Sequence, residues 1–161
     1  PPVDAPPRRQ FASDNYAGIA PEAWTALAEA NAGHAPAYGN DPWTQRAADA
    51  IRDLFETPCD VFFVFNGTAA NSLSLAHCCQ SYHSILCHDV AHIEKDECGA
   101  PEFYTGGSKV LTIDAPLAKL RPADIEPVLH RGHGVHFPKV RAVSITQATE
   151  LGTRTVASVP P

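Results

Sequence analysis

Methionine is missing from all 161 residues, position 1 included. The chain opens Pro-Pro-Val-Asp-Ala-Pro-Pro and stops at Ser-Val-Pro-Pro, so it reads as a piece of a longer polypeptide. A basic run is also missing. The twelve Lys and Arg are scattered and the net charge is −6, which argues against a nucleic-acid partner, because binding phosphate backbones needs clustered cations. No apolar stretch approaches the roughly 20 residues of a membrane span, and no charged-then-apolar leader is expected. Five cysteines fall at irregular spacing without a C-x-x-C pair. That is a poor disulfide framework, and the expectation is a reducing, cytoplasmic compartment. The chain also has no G-x-x-x-x-G-K-[ST], no G-x-G-x-x-G and no G-x-S-x-G, so neither a Walker loop, a dinucleotide fingerprint nor a hydrolase elbow is indicated.

What is present is ordinary in bulk: 44% apolar and 19% charged residues, as in a water-facing globular domain. Residues 1–10 hold four prolines and are expected to form a flexible arm ahead of one domain over 11–161. Pro21 suits the first turn of a helix that runs to about Asn31, with Gly33 at its exit. Asp41 reads as an N-cap with Pro42 behind it. Trp43, Ala47, Ile51, Leu54 and Phe55 then recur every three or four residues, the period of an amphipathic helix. Val61–Phe65 reads as a buried strand, followed by a helix over Ala69–Cys79. Short strands are expected at Ser84–Cys87, Lys109–Ile113 and Val140–Ile145, with a helix from Arg121 to near His130. Strands alternating with helices imply an α/β fold on a parallel sheet, in which ligands sit at the carboxyl ends of the strands.

Three stretches carry chemistry. Val61–Asn71 runs from apolar residues through Asn66-Gly67-Thr68 into a helix, so unpaired amides and the helix dipole would converge on one small volume suited to a phosphate. A tight turn with no ligand would use the same glycine. The stretch 89–102 packs His92, Lys95 and five carboxylates into fourteen residues. It reads either as a solvated loop or as the setting of a histidine that stacks on a flat ligand and moves protons. His83, His88 and His92 approximate half of a zinc site, but no cysteine pair completes it, and no metal is expected. His130, His133 and His136 read as surface residues of a loop.

Seven segments in order carry a resemblance: Phe11–Asn15, Ala30–Gly33, Tyr38–Pro42, Phe65–Asn71, Ala91–Glu94, Asp96–Glu102 and Ser144–Thr153. Together they resemble the N-terminal half of the threonine aldolases, β-eliminating-lyase relatives among the pyridoxal-phosphate enzymes of the aspartate-aminotransferase fold. The resemblance implies that the chain is part of the large cofactor-binding domain. It implies cleavage of threonine-like β-hydroxy-α-amino acids to glycine and an aldehyde, by a homodimer or homotetramer. Gly67 and Thr68 match the phosphate-binding pair, and His92 matches the histidine that stacks on the cofactor ring. Ser13 matches a serine near the substrate carboxylate, and Tyr38 a tyrosine bordering a neighbouring subunit's site. Gln147 stands where other members carry a histidine near the substrate hydroxyl. A neutral amide can hydrogen-bond that hydroxyl but cannot deprotonate it, which leaves His92, a water or Glu150 for the proton. The Schiff-base lysine of the family lies beyond the matched segment; Lys95, Lys109, Lys119 and Lys139 do not occupy its position. The alternatives are another pyridoxal-phosphate lyase, a transaminase, or a non-catalytic fragment or binding module.

Overall fold

The computed structural model describes residues 13–132 and 134–148. The arm expected at 1–10 and the candidate Glu150 lie outside the described residues. The chain divides into two compact units, one reaching to Phe62 and one starting at Phe63.

The first unit is helical. A 3-10 turn at Asp14–Tyr16 precedes α1, Pro21–Ala30, and α2, Pro42–Phe55. Both helices begin on a proline, whose missing N–H costs nothing where no intrahelical acceptor exists. Asp41 caps α2 as its sequence predicts: one carboxylate oxygen accepts from the Thr44 amide at 2.8 Å and the other from the Thr44 hydroxyl at 2.7 Å. Glu56, at φ 51°, turns the chain out of the helix, and Arg52 Nε donates to the Cys59 carbonyl at 2.8 Å. The helical spacing of apolar residues is there, but it buries little. No residue of α1 is buried and only Ala48 of α2 is.

The second unit carries the sheet. Its elements are α3 (Gly67–Cys78), β1 (His83–His88), α4 (His92–Lys95), α5 (Ala100–Tyr104), β2 (Lys109–Ile113), α6 (Pro122–Leu129) and β3 (Lys139–Val143). The three strands are parallel in the order β2-β1-β3. Ile85 lies opposite Val110 on one side and Ala142 on the other. β1 is therefore covered on both faces and flanked on both edges, and Ser84 through His88 are all buried. This explains its apolar centre, Ile85-Leu86-Cys87, where a strand with one wet face would alternate. The core gathers Leu75 of α3 and Cys79 just past its end, Ile85 and Cys87 of β1, and Ala91 and Ile93 around the start of α4.

One expected element is absent. Val61–Phe65 forms no strand, and Phe62, Phe63 and Phe65 are 83%, 58% and 97% exposed. Apolar β-favouring residues make a strand only when a neighbouring strand accepts from their N–H groups and donates to their C=O groups. Both edges of β1 are already taken, and among the described residues no other strand pairs with this segment.

Candidate functional site

The sequence-predicted phosphate cup takes shape at the start of α3. Asn66 is its N-cap, extended in backbone, with its side-chain oxygen accepting from the Ala69 amide at 2.8 Å. The Ala70 amide donates to the Asn66 carbonyl at 3.1 Å. The amides of Gly67 and Thr68 precede the first intrahelical bond and are left for an outside acceptor. A Cβ placed on Gly67 would meet nothing within 4 Å, so an anion can approach that backbone closely. Thr68 is half-buried and adds a hydroxyl. The set fits a phosphate: two directed amides, a hydroxyl, the positive end of a three-turn helix and open space beside it.

His92 is the first residue of α4, a helix of 4 residues that begins just past the carboxyl end of β1. Its ring is partly exposed, and Nδ1 lies 2.8 Å from Oε1 of Glu97, whose side chain is fully buried. The same Oε1 accepts from the Asn71 amide nitrogen of α3 at 2.6 Å. The charged run thus sorts itself: Glu94, Lys95 and Asp96 face solvent, while Ala91, Ile93 and Glu97 turn inward. The sequence reading missed both Glu97 and Asn71 as site residues. No local signal pointed to either, because Asn71 and Glu97 meet across 26 residues of chain.

A small cleft opens at the carboxyl ends of β1 and β3, lined in part by His88, Ala91, Lys119, Ser144 and Thr146. The Ser144 amide donates to the Leu86 carbonyl at 2.8 Å, which holds the β3 exit against β1. Gln147 follows directly and is exposed. His92 and Gln147 therefore stand on the two segments that flank one cleft, where a parallel sheet places ligands. A wider hollow, lined by Tyr82, His83 and residues 134–139, lies instead at the amino ends of β1 and β3. It contains none of the candidate residues.

Among the other histidines, His88 is buried and its ring is committed to backbone. Nδ1 accepts from the Val90 amide at 3.1 Å, and Nε2 lies 2.8 Å from the Ala115 carbonyl. Nδ1 also lies 2.8 Å from Oδ1 of Asp89, and the Ala115 amide lies 3.0 Å from Nε2, so the ring is tied to Asp89, Val90 and Ala115 together. His88, Asp89 and Asp114 lie close together, but His88 acts as a pin between β1 and the segment after β2. In the first unit, Ser13 Oγ accepts from the Asn15 amide at 3.2 Å, and Tyr38, at φ 63°, is fully exposed.

A parallel α/β sheet, a helix start open to an anion and a histidine tied to that helix through Glu97 and Asn71 define a class: a layered α/β domain with its candidate site at the carboxyl ends of the strands. The sequence pattern of the beta-eliminating lyase family matches residues 10–159, and the chain belongs to that family. It is 61% identical over 145 residues to the low specificity L-threonine aldolase of Pseudomonas aeruginosa, covering 90% of this chain and 42% of that protein. The same figures hold for the low specificity L-threonine aldolase of another Pseudomonas strain. The structure superposes on the threonine aldolase of Leishmania major with a TM-score of 0.79 and 33% identity, over 87% of this chain and 41% of that one. The chain thus spans well under half the length of the relatives it matches.

Proposed function

We propose that this chain supplies the phosphate-binding and ring-stacking part of a pyridoxal-phosphate-dependent aldolase that cleaves threonine-like β-hydroxy-α-amino acids to glycine and an aldehyde. The observation that carries this reading is the linkage of the phosphate-ready helix to His92 through Asn71 and Glu97. It stands alongside the 61% identity to proteins named as threonine aldolases.

The amides of Gly67 and Thr68, with the Thr68 hydroxyl, receive the phosphate. His92 lays its ring on the cofactor and carries the proton of the substrate's β-hydroxyl. Gln147 hydrogen-bonds that hydroxyl without being able to ionise it, and Glu150 is the second candidate for the proton. Ser13 is assigned to the substrate carboxylate and Tyr38 to the border of a neighbouring subunit's site, in a cytoplasmic homodimer or homotetramer. When bound, pyridoxal phosphate supplies the electron sink for the pair released as the Cα–Cβ bond breaks. The lysine that carries it is assigned to sequence outside this chain, so the 161-residue chain alone is expected to be inactive.

The test is product analysis on the complete protein that contains this chain. Equal amounts of glycine and acetaldehyde from threonine are expected. Release of ammonia or a keto acid instead would move the reaction to elimination or transamination. A purified protein without the visible absorbance of bound pyridoxal phosphate would remove the cofactor assignment.

A further inference from the structure

We propose that Glu97 is a positioning residue for His92, held in place by Asn71, and that it fixes the imidazole with Nδ1–H inward and Nε2 as the proton-carrying atom. For what His92 does, the proposal rests on the aldolase reading above. For how His92 is held, it rests on geometry alone.

A carboxylate within a charged run has every reason to point into water, and Glu94 and Asp96 do. Glu97 is 3% exposed instead. Burying such a group is costly unless donors meet it. Two do, and both meet the same oxygen: Asn71 Nδ2 at 2.6 Å and His92 Nδ1 at 2.8 Å. An amide oxygen in place of Nδ2 would repel the carboxylate, so the orientation of Asn71 follows. A carboxylate only accepts, so His92 must donate from Nδ1. In the neutral ring this leaves the lone pair on Nε2.

His92 needs such a hold. It opens a helix of 4 residues with no side-chain cap, which by itself does little to fix a ring that turns about two bonds. Asn71 reaches Glu97 from a rigid element, 26 residues away in sequence. It stands four residues beyond Gly67, about 6 Å along the axis of α3 at the usual helical rise. One helix therefore offers its first amides to the phosphate and, one turn later, anchors the acid that aims the histidine. A tie of α3 to α4 with no bearing on chemistry would need the same bonds, so the test must read more than stability.

In the complete protein with cofactor bound, Glu97→Gln keeps the shape and removes the charge. The kcat for threonine cleavage is expected to fall about tenfold to hundredfold, the size of loss known for carboxylates that orient metal-bound histidines. KM should move by less than about threefold, because substrate binding is untouched. Selective 15N-histidine labelling, with His92→Gln to assign the resonance, reads the tautomer without reference to activity. The expected signal is Nδ1-protonated in the unaltered protein and loses that preference in Glu97→Gln. Asn71→Ala should produce the same change in smaller measure, and it carries the test if Glu97→Gln does not fold. An Nε2-protonated His92 in the unaltered protein, or an unchanged tautomer in the variants, overturns the proposal. So does an unchanged kcat in a protein that cleaves threonine. A protein that cleaves no threonine but shows the tautomer change supports the positioning and overturns the aldolase reading.

Discussion

The thiol of Cys87 lies in the middle of the sheet with no exposure, and burial pushes its pKa up from the ordinary 9.0 to about 12. The carboxylates of Glu94, Glu102 and Asp89 add to the shift. At about pH 8 it stays a protonated, unreactive thiol. Iodoacetamide should therefore modify the exposed Cys78 and Cys98 of the folded protein and leave Cys87 untouched until denaturant is added. Peptide mass mapping would show this, and early alkylation of Cys87 would contradict it. Asp41 titrates the other way. Hydrogen bonds from the Thr44 amide and then its hydroxyl hold the carboxyl below its ordinary 3.8. Its contribution to α2 is complete above that ordinary value and is lost as pH falls through the lowered one. The Thr44 amide resonance should follow this titration with a midpoint below 3.8, and in Asp41→Asn the step should vanish while the cap remains. A midpoint at or above the ordinary value would disprove the assignment. At this scale the sequence was a partial guide. Asp41 could be read as a cap because the residue type and Pro42 agree. The inward turn of Glu97 could not, since a carboxylate among charges belongs in water unless a partner distant in sequence, here Asn71, meets it.

Among the elements, β1 carries the most burial. Ile85→Ala removes a fully buried side chain between two parallel neighbours, and the loss of stability should be about 2–5 kcal/mol. Leu54→Ala on α2 removes a side chain that is 73% exposed and should cost about 0.5 kcal/mol or less. Urea unfolding of the complete protein compares the two directly, and equal losses would contradict the burial described here. Element by element, legibility followed the strength of the period. β2 was read residue for residue, and α1 and α2 to within a residue or so, because proline, cap and spacing coincide. The helices α4 and α5, of 4 and 5 residues, are too short to show a period and vanished into the charged stretch. Val61–Phe65 failed for a different reason. Its composition says strand, but a strand is a property of two segments, and among the described residues no strand pairs with this one.

On the scale of the whole molecule, the apolar exposure is out of proportion for a 17.2 kDa chain. Trp24, Leu27, Leu54, Phe55, Phe62, Phe63 and Phe65 are each more than half exposed. Isolated monomers rarely leave so many large apolar side chains in water. The chain produced on its own should bind a hydrophobic dye and sediment above its monomer mass. A dye-silent monomer would show that these residues find cover within the chain itself. The fold class could be read from the alternation of strands and helices, because that alternation is local. Which faces are covered could not, because cover depends on contacts between segments far apart in sequence, and this chain spans less than half of the relatives it matches.

The pairing of β1 with β3 also sets a timetable. Ser84 bonds to the Pro138 carbonyl 54 residues further on, next to where β3 begins. At a synthesis rate of roughly 5–20 residues per second, the leading edge of β3 leaves the ribosome some 3–10 s after β1 has appeared. For that interval the Ile85-Leu86-Cys87 strand has at most one neighbour and a bare hydrogen-bonding edge. Nascent chains stalled between β2 and β3 should therefore recruit chaperones more strongly than chains stalled just past Val143.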